Sequence, residues 1–288
     1  MVATFDYQAP QNLEEALELL AQHGDDAKVL AGGQSLIALI NLGLAQPSLL
    51  VDINRLSGLD RVDLSDGTLS VGALTRHAAA ERSDTIRHAC PLLAEALPLI
   101  GDPQVRNRGT MGGSIAHADP VAEIPTVAVC LDAVMRVQSR GGARDIRASD
   151  FFVSYLTTAI DSRELLTEVR FPAAAARTGV SFQELVRRKG DFAIVAAAAA
   201  VGLAPDGTCA SVRLALAGVA PTPVGRPAAS EVLAGKHPAP DLLREAARAS
   251  CVGLEPESDI IASAQYRQAM AEVYARRALE TAVQRAKG

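Results

Sequence analysis

Two pairs of adjacent glycines, each following an apolar stretch, set the tightest limit on what this chain folds into. Gly32 and Gly33 lie in Ala31-Gly32-Gly33-Gln34-Ser35-Leu36, and Gly112 and Gly113 in Thr110-Met111-Gly112-Gly113-Ser114-Ile115. Adjacent glycines let a backbone take φ > 0 and approach a ligand closely, and successive free N–H groups in a turn make a concavity for an anion. A lone Gly-Gly-Ser is most simply a tight surface turn. Two segments of matching chemistry point instead to a pyrophosphate. Neither reads Gly-x-Gly-x-x-Gly or Gly-x-x-x-x-Gly-Lys-Ser/Thr, so no Rossmann fingerprint or P-loop is supported.

The surrounding pattern places the first turn. Val2 to Tyr7 alternates like a strand, Asn12 opens a helix with Glu15 at the capping-box position, and Lys28 to Ala31 is a strand running into the turn. A short helix from Ser35 to Leu42 and a strand from Leu49 to Ile53 complete a small parallel βαβ unit, with the turn at a strand's carboxyl end. Then come a hairpin (Arg61–Leu64, Thr68–Ala73), a short helix after Thr75, a helix over Ile86–Ile100 that Pro91 and Pro98 could split, and the second glycine segment within a loop. A helix from about Pro120 to Leu131 and strands at Ala133–Ser139, Ala143–Ala148 and Glu164–Phe171 make this middle block α+β, mainly antiparallel. Beyond the alanine-rich connection Pro172–Thr178, Val180 to Arg188 alternates as a strand. The run Phe192–Leu203 has helical propensity but is assigned as a strand, because Pro205-Asp206-Gly207-Thr208 is a hairpin turn and Ala210–Val219 alternates on its return. The rest reads as helices at Ala228–Gly235, Asp241–Val252 and Ser263–Ala286.

With 288 residues the chain holds two or three domains, and a net charge of −5 without a basic stripe argues against nucleic acid as a partner. Cys90, Cys130, Cys209 and Cys251 are scattered, with no Cys-x-x-Cys, so no iron–sulfur or zinc site is encoded and each reads as a buried, reduced thiol. The first ten residues lack a basic-then-apolar leader and no run is long enough to span a bilayer, which makes the cytoplasm the expected setting.

No nucleophile-and-base pair stands out, and no catalytic residue is assigned. His117 and Asp119 could share a face as a pair or simply fix their loop. His23, His77, His88 and His237 read as surface or capping groups. Glu123, near a helix start, is favoured by the helix dipole whether or not it accepts bonds from a ribose. Arg106 and Arg108 could meet phosphates or a partner, or be solvated.

Ala31 to Leu36 and Thr110-Met111-Gly112-Gly113-Ser114-Ile115-Ala116-His117-Ala118-Asp119-Pro120 resemble the flavin-binding medium subunits of molybdenum hydroxylases, a group that includes the carbon monoxide dehydrogenase flavoprotein and the FAD part of xanthine dehydrogenase. Pro47–Ile53, Glu164–Pro172 and Arg187–Ala193 extend the likeness over nearly the whole chain. The resemblance implies an α+β, vanillyl-alcohol-oxidase (PCMH)-type fold of two FAD-binding subdomains, residues 1–54 and 55–176, and a C-terminal domain, 177–288, with a small antiparallel sheet packed on helices. It implies that Ala31, Gly32, Gly33, Gln34, Ser35 and Leu36 with Thr110, Gly112, Gly113 and Ser114 hold FAD by its pyrophosphate. Asp119, Glu123 and Leu166, then Lys28 and Ile100, are candidates for its other parts. Gln34 stands where many relatives have histidine, and Gln183 and Glu184 occupy the region where relatives often carry a lysine.

The implied activity is that of an oxidoreductase subunit. A small partner with two [2Fe–2S] clusters and a large molybdopterin subunit supply the centres this chain lacks, in a heterotrimer that itself dimerises. Electrons pass to FAD and on to NAD, a quinone or oxygen. A self-contained FAD oxidase of the same fold and a non-redox nucleotide-binding module are the alternatives.

Overall fold

The computed structural model describes residues 4–288, so the Val2–Ala3 end of the expected first strand lies outside the described residues. The first unit runs β1 (Asp6–Gln8), α1 (Leu13–His23), β2 (Ala27–Leu30), α2 (Leu36–Asn41), β3 (Leu49–Asp52). Asn12 caps α1 by accepting the Glu15 N–H at 2.9 Å. All three strands are parallel in the order β1-β3-β2, and Ala16, Leu17 and Leu20 of α1 are buried in a core with Leu49 and Val51 of β3.

The second unit runs β4 (Val62–Ser65), β5 (Thr68–Gly72), α3 (His77–Arg82), α4 (Asp84–Ala89), α5 (Pro91–Ala96), α6 (Pro103–Arg108), α7 (Met111–His117), α8 (Glu123–Leu131), β6 (Val134–Ser139), β7 (Gly142–Arg147), α9 (Ala148–Phe151), β8 (Phe152–Ser154), β9 (Thr157–Thr158) and β10 (Leu165–Pro172). Its sheet is antiparallel in the order β4-β5-β10-β6-β7. The helix expected over Ile86–Ile100 is divided into α4, α5 and a 3₁₀ turn at Leu97–Leu99, because Pro91 and Pro98 lack the N–H that a continuing helix needs: Pro91 is the first residue of α5 and Pro98 the second of the 3₁₀ turn.

The third unit is a four-stranded antiparallel sheet, β11 (Thr178–Leu185), β12 (Val195–Leu203), β13 (Cys209–Ala217) and β14 (Val224–Gly225), with α10 (Ala228–Leu233), α11 (Pro240–Ser250) and α12 (Ala264–Ala286). β12 is buried along its whole length, and its alanines divide by parity. Ala196, Ala198 and Ala200 belong to the core of the second unit, whereas Ala197 and Ala199 pack with Ala275, Ala278 and Ala282 of α12. Small side chains on both faces let two layers close on one strand. At Gly179 of β11 the approach is backbone to backbone: an added Cβ would lie 2.0 Å from the Ala282 carbonyl oxygen. All four cysteines are free and buried. No helix among the described residues is long and apolar enough to cross a membrane.

Candidate functional site

The first glycine segment leaves β2 and enters α2. Gly33 has φ 74°, in the region that favours glycine, and Gly32 packs so closely that an added Cβ would lie 2.4 Å from the Arg108 carbonyl oxygen. Among the described residues, the N–H groups of Gly32, Gly33, Gln34 and Ser35 have no protein acceptor. They form the donor-lined bend that the sequence predicts. The Gln34 side chain turns back, its amide nitrogen donating to the Gly32 carbonyl at 3.2 Å.

The second segment departs from expectation. Residues 104–119, read from the sequence as a loop, hold α6 and α7, and Gly112 and Gly113 are the second and third residues of α7 with ordinary negative φ. Thr110 caps this helix, its hydroxyl oxygen accepting the Gly113 N–H at 3.0 Å. The Met111 and Gly112 N–H groups donate to Thr75 and Ala73 carbonyls just past the β5 strand, both at 2.9 Å, and Ser114 N–H donates to Thr110 at 3.0 Å. These amides are therefore not free. Glycine is required here for space: a Cβ at Gly112 would stand 2.5 Å from that of Ala73.

A side-chain bridge fixes one segment against the other. Asn54 donates its amide to the Ala31 carbonyl at 2.8 Å, and Arg76 donates to the Asn54 side-chain oxygen at 2.5 Å and also to the Arg108 carbonyl. Asp52, which accepts from the Tyr7 hydroxyl, holds Asn54 in turn at 2.6 Å.

Between the two segments lies a cavity of about 640 Å³, and the structure brings all fifteen residues singled out in the sequence to its walls. Ala31 to Leu36 form one side, and Thr110, Gly112, Gly113 and Ser114 the other. Lys28 comes from β2, Ile100 from the end of the 3₁₀ turn, and Leu166 from β10 beside an irregularity in its pairing with β6. Asp119, which accepts the Val121 N–H at 3.0 Å, stands between α7 and α8, and Glu123 is the first residue of α8. Other residues also line the cavity, and two of them differ most from the sequence reading. His77 is buried rather than superficial, and Phe192, 65% exposed, stands at the rim beside Gly190 and Asp191. The signal for Phe192 was present in the Arg187–Ala193 signature; for His77 only its place after the Thr75 turn could have pointed to it.

The electrostatics are uneven. Burial raises Glu123 to about 7, reinforced by the negative charges of Glu184 and Asp119, and burial also raises Glu184 to about 7. Burial lowers His77 to about 4, with Arg106 and Arg76 adding to the effect and the Thr110 backbone opposing it. Burial lowers His117 as well, against the pull of Asp119, and no hydrogen bond joins that pair among the described residues. The cleft thus offers hydrogen-bond donors and one protonatable carboxylate, Glu123, rather than a nucleophile with a base. That donor set fits a dinucleotide: free backbone N–H groups for an anionic bridge, hydroxyls opposite, and acceptors further along.

Comparison with known proteins agrees. The family model described as "FAD binding domain in molybdopterin dehydrogenase" matches residues 3–174, and "CO dehydrogenase flavoprotein C-terminal domain" matches residues 180–282. The chain is 43% identical over 284 residues to the 6-hydroxypseudooxynicotine dehydrogenase complex subunit alpha of Paenarthrobacter nicotinovorans, covering 99% of this chain and 96% of that one. It superposes on carbon monoxide dehydrogenase from Hydrogenophaga pseudoflava, in a form lacking the Mo-pyranopterin moiety of the molybdenum cofactor, with a TM-score of 0.96 at 39% identity and 99% coverage of both chains. For quinoline 2-oxidoreductase from Pseudomonas putida 86 the TM-score is 0.94 at 37% identity, each chain covered in full. The fold is the PCMH-type FAD-binding α+β fold, and the chain belongs to the FAD-binding medium subunits of molybdenum hydroxylases, as an oxidoreductase component.

Proposed function

We propose that this chain carries FAD as the electron-transfer subunit of a heterotrimeric molybdenum hydroxylase, a dimer of such trimers in the cytoplasm, with a small [2Fe–2S] subunit and a large molybdopterin subunit as partners. When bound, FAD supplies the redox chemistry, taking electrons from the clusters and giving them to an acceptor such as NAD, a quinone or oxygen. The observation that carries this reading is the row of four unpaired N–H groups at Gly32–Ser35 facing the Thr110 and Ser114 side chains across one cavity. Those N–H groups donate to the diphosphate, and the two hydroxyls meet it from the other side. Gly112 and Gly113 let it approach, while Asp119 and Glu123 accept from hydroxyls of the dinucleotide. Leu36, Ile100 and Leu166 give apolar walls and Lys28 a cationic rim. Divisions near 54 and 176 separate the parallel sheet, the five-stranded sheet and the C-terminal sheet. Four free, buried thiols suit a reducing compartment.

The test is to pull the tagged chain from its native host and assay the co-purifying proteins for molybdenum and iron, with flavin read by absorption. Recovery of both metals with a yellow chain is expected. A chain that purifies alone and oxidises an organic substrate unaided would overturn the proposal.

A further inference from the structure

We propose that His77 is a further ligand-binding residue of this cleft, its imidazole N–H donating to a phosphate oxygen of the dinucleotide at the seam where the two glycine segments meet. The inference rests on the reading of the cavity as the FAD site.

The seam is defined by contact. A Cβ at Gly32 would lie 2.4 Å from the Arg108 carbonyl oxygen and 2.9 Å from the Gly109 Cα, so the first segment is seated directly on the residues leading into the second. A diphosphate gripped by both segments must lie beside this junction. His77 is packed against the same Gly109: a Cβ there would be 2.8 Å from His77 Nδ1 and 2.9 Å from its Cε1. The backbones are tied as well, since the His77 N–H donates to the Gly109 carbonyl at 3.0 Å.

His77 is 4% exposed, lines the cavity, and makes no hydrogen bond of normal geometry at either ring nitrogen among the described residues, the Thr110 backbone lying near enough only to favour the protonated ring. A buried polar ring without partners is a cost to folding that phenylalanine or leucine would avoid, and such groups call for an explanation in terms of what they meet. The need for a donor on this side is specific. On the first segment four backbone N–H groups are free, whereas on the second those of residues 111–114 are all engaged within the protein. Beyond the Thr110 N–H, which has no acceptor among the described residues, donors to an anion from the second side must come from side chains, and the available ones are Thr110, Ser114 and His77. The ring also sits near the guanidinium groups of Arg76 and Arg106, which disfavour its protonation; a neutral imidazole with one N–H provides the single donor the position requires.

The experiment titrates the flavin-stripped full chain with FAD, ADP and riboflavin, comparing the parent with His77→Phe and His77→Gln. Loss of one hydrogen bond to a charged group should weaken FAD and ADP by about 10- to 100-fold in His77→Phe. Riboflavin, which lacks the diphosphate, should bind as it does to the parent. His77→Gln, which retains an N–H, should recover part of the loss, and the melting temperature of flavin-free His77→Phe should equal or exceed that of the parent. Parent-like FAD and ADP binding by His77→Phe overturns the inference, as does equal weakening of all three ligands. Should His77→Phe not fold, the imidazole ¹⁵N resonances of the parent decide: those of His77 should move on addition of ADP, and resonances unchanged while ADP binds overturn the inference. A parent that binds neither FAD nor ADP defeats the FAD reading itself, and this inference with it.

Discussion

A methyl group at Gly112 would meet Ala73 at 2.5 Å from its Cβ and 2.9 Å from its Cα and carbonyl oxygen, atoms that cannot swing aside. Gly112→Ala should therefore destabilise the chain by about 1–3 kcal/mol, measured by denaturant unfolding, through overpacking rather than backbone strain. At Gly33 the cause is reversed: its φ of 74° strains any L side chain, so Gly33→Ala should lose flavin with a cost of about 1–2 kcal/mol even where space exists. Equal flavin retention by Gly33→Ala and the parent would contradict this. Glu123 yields a pH prediction. Between the ordinary carboxylate value of 4.5 and about 7, the folded chain keeps a proton there that the unfolded chain has released, so this group's contribution to stability falls as pH rises through that window. Glu123→Gln should stabilise the flavin-free chain by up to about 3 kcal/mol at pH 8 and leave it unchanged below pH ~4.5, as urea titrations at the two pH values will show. The sequence revealed Glu123 as a helix-start carboxylate but not its buried state, nor that the charge of Glu184, distant in the chain, adds to the effect of burial.

Among the elements, β12 and α7 show what patterns in the chain can and cannot reveal. The strand at Val195–Leu203 was legible despite its alanines, because the Pro205–Thr208 turn and the alternating partner beyond it require a hairpin. Helix α7 was not: Gly112 and Gly113 lower helix propensity, and the carbonyls that fix its first turn belong to Ala73 and Thr75, just past β5 and outside any local window. The site suffered the same blind spot. The two glycine segments were evident from their own residues, but the Asn54–Arg76 bridge and His77 depend on residues more than twenty positions apart coming together. That bridge predicts a positioning effect. Arg76→Leu should lower FAD affinity by about tenfold, equivalent to 1.4 kcal/mol, while far-ultraviolet circular dichroism stays that of the parent. Unchanged affinity would mean that the segments keep their spacing without it.

Taken whole, the molecule has a continuous core from the five-stranded sheet into the C-terminal one: Phe151, Phe171 and Leu93 share a buried cluster with Phe182, Ala196 and Ala198. Arg285 of α12 reaches Glu95 and the Val180 carbonyl, both at 2.6 Å, and Arg213 of β13 donates to the Leu131 carbonyl at 2.5 Å. Cys130 adds a contact of 3.2 Å from its sulfur to the Ala198 carbonyl oxygen. A fragment ending at residue 176 should aggregate, since it would expose this face, and calorimetry of the intact chain should show the two sheets melting in one transition. Two separated transitions would refute that. The alanine-rich connection between β10 and β11 therefore marks a change of sheet rather than a break in the core.

Because the amides of residues 111–114 are engaged inside the protein, that wall of the cleft is complete as soon as the chain has folded, while the opposite bend at 32–35 keeps its donors for an occupant. Deuterium uptake should register this asymmetry: the nucleotide would slow labelling of Gly32 to Ser35 and leave the already protected stretch 111–114 almost as it was. One half of the grip is a finished mould, and the other half sets only around what it holds.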